Sequence, residues 1–389
     1  MEIKITTEKS LFQLTLSHIL FCIAHKVTVY FRYFLTILLF LFFITQTYGQ
    51  QTKLNYKAIC FYYNWYGSVK VDGSSWHWEH PIMRQNDKDT TTGLYSANGN
   101  IGANYYPESG EYSSADSSVI EKHMQQIASA GIGVIAVTWL GEDDYTFKSV
   151  PLILNAANRY GIKVCFQIEP CVRKSAIATR NAVEFLITQF GKHPAFLKNT
   201  ETGKPMFFVY DSYVISAEDW NDVFGINGKN TIRKTVFDAD MIGLWVTEDE
   251  QKFFLESGFD GFYTYFASSG FTYGSTPSNW SLLKKWADEN NKIFIPSVGP
   301  GYIDVRVRPW NAKNTKSREG GAYYNRMFKT ALNSKVNWIG ITSFNEWHEG
   351  TQIEPAKPFI HGNFKYEDYQ PKKPDFYLLK TKFWLKKFK

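Results

Sequence analysis

Gly133-Val134-Ile135-Ala136-Val137-Thr138-Trp139 and Lys163-Val164-Cys165-Phe166-Gln167-Ile168-Glu169 are two short apolar runs separated by a helical pattern over 150–160. The same rhythm extends in both directions. Strand-like runs occur at 57–65, 133–139, 163–169, 206–211, 241–247, 261–266, 292–298 and 338–344. Helical patterns fall between them at 117–130, 150–160, 181–190, 217–223, 248–257, 280–289 and 321–332. In the first, Val119, Ile120, Met124, Ile127 and Ala128 share one stripe. Eight strands alternating with crossover helices predict an α/β fold, a (β/α)8 TIM barrel over 57–389, rather than an open sheet. The length of 389 residues suits one such domain behind an N-terminal hydrophobic segment. Residues 67–116 break the rhythm with a long polar stretch rich in Gly, Ser, Asn and Tyr. Following the first strand, this stretch is expected over the C-terminal mouth of the barrel, where long loops are usually functional or mobile.

The N-terminus is read separately. Residues 33–44 form an uncharged apolar run, preceded by Lys26 and Arg32. Residues 1–50 are either a signal peptide cleaved near Gly49 or an uncleaved type II signal-anchor, and 51–56 are a short stem. A full span needs about 20 apolar residues, and 33–49 approach that only with Thr45, Gln46 and Thr47 included. Either reading sends the rest of the chain into the secretory lumen. The first gives a secreted protein, and the second makes the membrane a partner. The sequon Asn279-Trp280-Ser281 is compatible with both.

Composition narrows the chemistry. Hydrophobic residues make up 44% of the chain, enough for a sizeable core. Aromatics stand at 17% and cluster in Phe61-Tyr62-Tyr63-Asn64-Trp65-Tyr66 and Trp76-His77-Trp78. Such clusters are either core packing or flat platforms for the C–H faces of sugars. The net charge of +6 owes part of its excess to Lys380, Lys382, Lys386, Lys387 and Lys389. No nucleic-acid motif accompanies it, so no nucleic-acid partner is expected. Cys22, Cys60, Cys165 and Cys171 fit no zinc spacing and are too few for a disulfide scaffold. Cys60 and Cys165 lie in strand runs and read as buried thiols, while a bridge through Cys171 stays open. Phosphate-binding glycine loops, His-x-x-x-His pairs and Gly-x-Ser-x-Gly elbows are all missing from the sequence. No cofactor or metal is expected, and nothing marks an oligomeric state.

Barrel enzymes place chemistry at the C-terminal ends of their strands. Those ends here are Tyr62-Tyr63-Asn64-Trp65-Tyr66, Thr138-Trp139-Leu140-Gly141, Gln167-Ile168-Glu169, Tyr210-Asp211, Tyr263-Thr264-Tyr265-Phe266, the stretch reaching Arg308, and Ser343-Phe344-Asn345-Glu346-Trp347-His348-Glu349-Gly350. Carboxylates among aromatics, with one or two arginines, make the composition of a glycosidase site. Glu346 and Glu349 lead it as an acid/base pair; the bland alternative is a helix cap or a solvated acidic turn. Glu169 reads equally as a structural ion pair or a substrate contact. Arg308 either holds substrate or braces a loop, and His348 either serves the site or simply packs.

The stretch 343–354, together with Phe294-Ile295-Pro296-Ser297-Val298-Gly299-Pro300-Gly301-Tyr302, Gly258-Phe259-Asp260-Gly261-Phe262-Tyr263 and Tyr105-Tyr106-Pro107-Glu108, resembles the endo-α-1,2-mannosidase family, glycoside hydrolase family 99. The similarity runs from about residue 57 to the C-terminus. It implies a metal-free (β/α)8 enzyme that retains configuration while cutting an internal α-1,2-mannosidic bond of glucosylated high-mannose N-glycans. Animal members are Golgi proteins, so the resemblance implies a type II Golgi membrane protein. It also implies Glu349 as general acid/base and Glu346 as the base acting on the substrate 2-hydroxyl. Tyr62 or Tyr63, Trp139, Glu169, Tyr265, Arg308 and Asn345 would line sugar subsites, and Trp347 and His348, which flank the carboxylates, are expected to bind substrate as well. Leu140-Gly141 stands where a more aromatic or Pro-containing stretch is expected, near the distal sugar, which leaves glucose or mannose preference there open. Two alternatives remain: double displacement with Glu346 as nucleophile, and a non-catalytic glycan-binding barrel.

Overall fold

The computed structural model describes residues 52–85, 91–169 and 175–388, with positions 26, 30–34 and 36 before them. Those few early positions are helical. Most of the apolar run 33–44 lies outside the described residues, as do Cys22 and Cys171. Among the described residues no helix is long and apolar enough to cross a membrane. Residues Lys53–Lys389 form one compact unit.

Eight strands build the unit. They are β1 (Asn55–Tyr62), β2 (Ile132–Trp139), β3 (Lys163–Ile168), β4 (Met206–Val209), β5 (Asp240–Leu244), β6 (Gly261–Tyr263), β7 (Ile293–Ile295, continued by Ser297–Val298) and β8 (Ile339–Ile341). Every neighbouring pair is parallel. β7 closes the barrel in two pieces. Ile295 pairs with Tyr263 of β6, whereas Ser297 pairs with Gly340 of β8. The break falls at Pro296, whose ring nitrogen has no proton to donate to a ladder. Its carbonyl still accepts from Gly340 N at 2.8 Å, so the seam holds. The eight-strand barrel predicted from periodicity is therefore borne out. Its strands are shorter than the apolar runs because the chain leaves the ladder to form the rim. Asp211 and Tyr265, just past β4 and β6, turn through positive φ of 48° and 43°.

Helices α1 (Ser117–Ser129), α2 (Val150–Arg159), α3 (Ala176–Phe190), α4 (Ala217–Phe224), α5 (Gln251–Glu256), α6 (Trp280–Glu289), α7 (Ala322–Asn333) and α8 (Phe376–Leu385) surround it. Short polar side chains start several of them. Asp116 accepts from Ser118 N, Ser175 from Ala178 N and Ser216 from Asp219 N, each capping an otherwise orphaned donor. Ser175 starts α3 earlier than the apolar pattern suggests. Alternate strand residues fill the barrel. The rings of Phe61, Phe208 and Tyr263 meet inside it with centroids 5.0–5.5 Å apart. Cys60 and Cys165 are buried free thiols.

The long stretch after β1 is better organised than its composition suggests. It holds a one-turn helix (Val69–Asp72) and a hairpin pairing His80–Met83 with Thr91–Tyr95. Trp78, fully buried, donates to Tyr112 O at 2.8 Å. The Arg306 guanidinium lies over Tyr95 and Phe364 at 4.4 and 3.6 Å and donates to Ile101 O at 3.1 Å. These contacts hold the loop against the rim.

Gly261 of β6 pairs with Ile293 of β7, and a Cβ there would stand 2.4 Å from Ile293 O and 2.6 Å from Ile293 Cβ. Gly261→Ala is expected to destabilise the barrel by about 1–3 kcal/mol through overpacking. Urea unfolding measures it; a loss within about 0.5 kcal/mol, the range of an ordinary surface change, would mean that the strands separate freely.

Candidate active site

A cavity of about 270 Å³ opens at the C-terminal ends of the strands, and both Glu346 and Glu349 line it. The loop carrying them follows β8 and is held by backbone and side-chain bonds. Asn345 accepts from Tyr63 N and donates to Tyr63 O, both at 2.8 Å, clamping the end of β1 to the loop. Tyr66 OH donates to Asn345 O at 3.0 Å and accepts from Trp347 N at 3.1 Å. Ser343 Oγ accepts from Glu346 N at 2.7 Å.

The two carboxylates differ in setting. Glu346 is 4% exposed; its Oε1 accepts from His348 N at 3.1 Å, while its buried Oε2 has no hydrogen-bond partner. Burial pushes its pKa well above the ordinary range, the Glu349 charge adds to that, and Arg308 opposes it. Burial also raises Glu349, against Arg308 and with help from Asp304. Arg308 Nη1 is shared, lying 3.4 Å from Glu349 Oε1 and 3.3 Å from Asp304 Oδ2. Asp304, fully buried, also accepts from Tyr302 OH at 2.9 Å and Asn311 Nδ2 at 2.8 Å. Arg308 therefore braces a loop through Asp304 and also lines the cavity. A pair of buried carboxylates with raised proton affinity beside a shared arginine is equipped to pass one proton between them and a substrate.

Tyr63, Glu169, Tyr265, Arg308, Glu346, His348 and Glu349 come together on the cavity wall. Tyr63 and Tyr265 hydrogen-bond through their hydroxyls. Four expected lining residues stand elsewhere. Strand alternation turns Tyr62 outward, where its hydroxyl meets His123 Nδ1 of α1 at 2.9 Å. Trp139 also points into the helix layer, against Phe147, Phe166 and Phe185. Asn345 spends its side chain on the Tyr63 clamp. Trp347 is fully buried and donates to Glu354 at 2.9 Å. These four position the site without reaching into the cavity.

Trp65, His77, His80, Leu140, Gln167 and Tyr210 complete the wall. Gln167, Tyr210 and Leu140 were legible at strand ends. His77 and His80 come from the irregular loop, where no periodicity marks them. His77, His80 and His348 bring one ligand-type atom each to within 4.8 Å of one another. Burial holds His77 and His348 well below the usual imidazole pKa, with the other histidines and Arg308 contributing.

Glu169 accepts from Gln167 Nε2 at 2.9 Å. Burial raises its pKa to about 8, with the Asp211 and Glu349 charges adding to it. Between the ordinary carboxyl value and about 8 the folded protein keeps a proton that the unfolded chain has released. Stability therefore falls as pH rises through that window. Glutamine cannot titrate, so the melting temperature of Glu169→Gln should gain on wild type between about pH 5 and about pH 8. A constant difference across a pH series would show Glu169 ionised in the folded state.

Glycosyl hydrolase family 99 is the family model that matches the chain, over residues 53–389. A glycoprotein endo-alpha-1,2-mannosidase of Xenopus laevis is 45% identical over 347 residues, covering 86% of this chain and 77% of that protein. The protein of that name in Mus musculus is 45% identical over 348 residues, covering 86% and 75%. Among solved structures, the GH99 endo-alpha-mannosidase from Bacteroides thetaiotaomicron superposes with a TM-score of 0.84 at 46% identity, covering 86% of this chain and 98% of that one. The matched region contains the whole barrel together with the two cavity carboxylates, and this chain belongs to glycosyl hydrolase family 99.

Proposed function

We propose that this glycoside hydrolase cleaves an internal α-1,2-mannosidic bond of high-mannose N-glycans, glucosylated ones included, with retention of configuration. The observation that carries the reading is the buried pair Glu346 and Glu349 on one cavity wall, in a chain whose relatives are endo-α-1,2-mannosidases. In an α-mannoside the C1 leaving group and the 2-hydroxyl lie on opposite ring faces. Glu346 removes the 2-hydroxyl proton, and O2 attacks C1 from the rear. The C1–O bond to the leaving sugar breaks, and Glu349 gives that oxygen its proton. The product of this half is a 1,2-anhydro sugar. Glu349, now a carboxylate, takes a proton from water as the water oxygen attacks C1. The epoxide opens, O2 regains its proton from Glu346, and two inversions leave the configuration unchanged. Burial suits Glu349 to the acid's part, because a desolvated carboxyl holds its proton until a substrate oxygen claims it, and the raised proton affinity of Glu346 makes it, once ionised, a stronger base toward the 2-hydroxyl. His348 and Arg308 supply donors for sugar hydroxyls from the same wall.

The apolar run 33–44 motivates a location in the secretory lumen, as a Golgi type II membrane protein or, after cleavage, a secreted one. Alkaline carbonate extraction separates the two, because an anchored chain stays in the pellet. Recovery of an intact, unglycosylated chain from the cytosol would sink both.

The roles of the two glutamates separate on a glycosyl fluoride, whose leaving group needs no proton. Glu349→Gln should lose about 10²–10⁴-fold on a natural glycan yet keep turnover of the fluoride. Glu346→Gln should be inactive on both substrates. Rapid cleavage of a 2-deoxy substrate, with a glycosyl ester trapped on Glu346, would replace the epoxide route by double displacement. Binding of the glycan without any release by the wild type would leave a glycan-binding barrel.

A further inference from the structure

The mechanism above leaves His77 and His80 without chemical work, and it does not explain the arrangement of the three imidazoles. We propose that His77, His80 and His348 form a site for one divalent cation of the zinc class, and that this cation and the glycan exclude one another from the cavity.

The geometry supplies the ligand set. One ring nitrogen from each histidine lies within 4.8 Å of the other two. The rings lie close together, His348 being 4.9 Å from His77, edge to face, and 4.5 Å from His80, tilted, between centroids. His348 is 2% exposed, and both of its ring nitrogens are buried with no hydrogen-bond partner. A buried polar atom left unpaired costs about 1–3 kcal/mol, so an imidazole with two of them asks for a ligand. His80 is oriented as a metal-binding histidine usually is. Its Nδ1 lies 2.8 Å from Pro81 O, so that N–H donates to the carbonyl and Nε2 keeps the free lone pair. Aromatic walls stand behind the cluster, with Tyr66 and Trp78 6.2 and 6.5 Å from the His348 ring.

Three neutral imidazoles select a borderline cation such as zinc, copper or nickel over the oxygen-seeking magnesium and calcium. Zinc takes nitrogen ligands at about 2.0–2.1 Å in a tetrahedron. The rings must therefore draw somewhat closer, and two of the three sit on a loop outside the barrel ladder. The fourth position would open toward the cavity that all three histidines line. Arg308 on that wall opposes a cation, while Glu346 and Glu349 favour it. A cation held by His348 takes up the side chain that would otherwise meet sugar hydroxyls on the cavity wall, which is why occupancy by one excludes the other.

The test uses the full chain, stripped of metal, and zinc chloride as the probe. Equilibrium dialysis at micromolar zinc should give one ion per chain. Cobalt(II) in its place should give the visible absorption of a four-coordinate nitrogen site. His77→Ala and His80→Ala should each weaken uptake at least tenfold, and thermal melting of each variant reports whether it is folded. Zinc should inhibit glycan release competitively, with magnesium at the same concentration inert. No stoichiometric uptake, or uptake unchanged in both folded variants, would overturn the site. Uptake without any effect on glycan release would overturn the exclusion. If the variants weaken glycan binding while the wild type takes up no metal, the trio is a sugar subsite, and the proposal fails while the glycosidase reading stands.

Discussion

A buried carboxylate holds the catalytic loop in place. Glu354 is 1% exposed and accepts from Tyr112 OH at 2.8 Å, Trp347 Nε1 at 2.9 Å and His123 Nε2 at 3.1 Å. Those donors come from three places: the long loop after β1, the catalytic loop itself and helix α1. A carboxylate taken out of water is costly unless its oxygens are fully engaged, and charge-assisted bonds in a dry environment are among the stronger ones a protein makes. The network runs further, from His123 to Tyr62 of β1 and from Tyr112 to Asn345. The Tyr63 clamp then fixes the segment between Asn345 and Trp347, where Glu346 sits. Moving any one member strands a buried polar partner, so the loop has one low-energy position.

That rigidity matters because the proposed chemistry rests on groups in costly surroundings. Glu346 keeps one oxygen without a partner, and Arg308 is divided between Glu349 and Asp304. If Arg308 were free to pair wholly with Glu349, that carboxyl would be held ionised and could not serve as the proposed acid. Asp304, itself anchored by Tyr302 and Asn311, draws part of the guanidinium away. The cavity thus holds its electrostatic balance through neighbours that do not line it.

The long loop after β1 supplies what the barrel cannot. Strand ends deliver Tyr63, Gln167, Glu169 and Tyr210, all on short connections from the ladder. The opposite wall, with His77 and His80, is carried by the loop and depends on Trp78 burial and the Arg306 aromatic stack. Those anchors shape this part of the cavity without belonging to the barrel ladder.

Periodicity by itself determined the barrel, because eight apolar runs of strand length separated by helical stripes have few ways to bury both faces. The same reading located the rim and singled out Glu346 and Glu349 there, left Glu169 and Arg308 open between bracing and binding, and owed Tyr265 to the family resemblance. Tertiary structure alone decided which neighbours face the cavity. Tyr62 and Tyr63 are chemically alike, and only the pleat sends one to the helices and the other to the site. Trp139 and Trp347 look like sugar platforms in a string of letters, but burial against Phe185 and the bond to Glu354 make them supports. The histidine trio was illegible, because His348 meets His77 and His80 only after some 270 intervening residues have closed the barrel. Distance along the chain carries no record of contacts that closure creates.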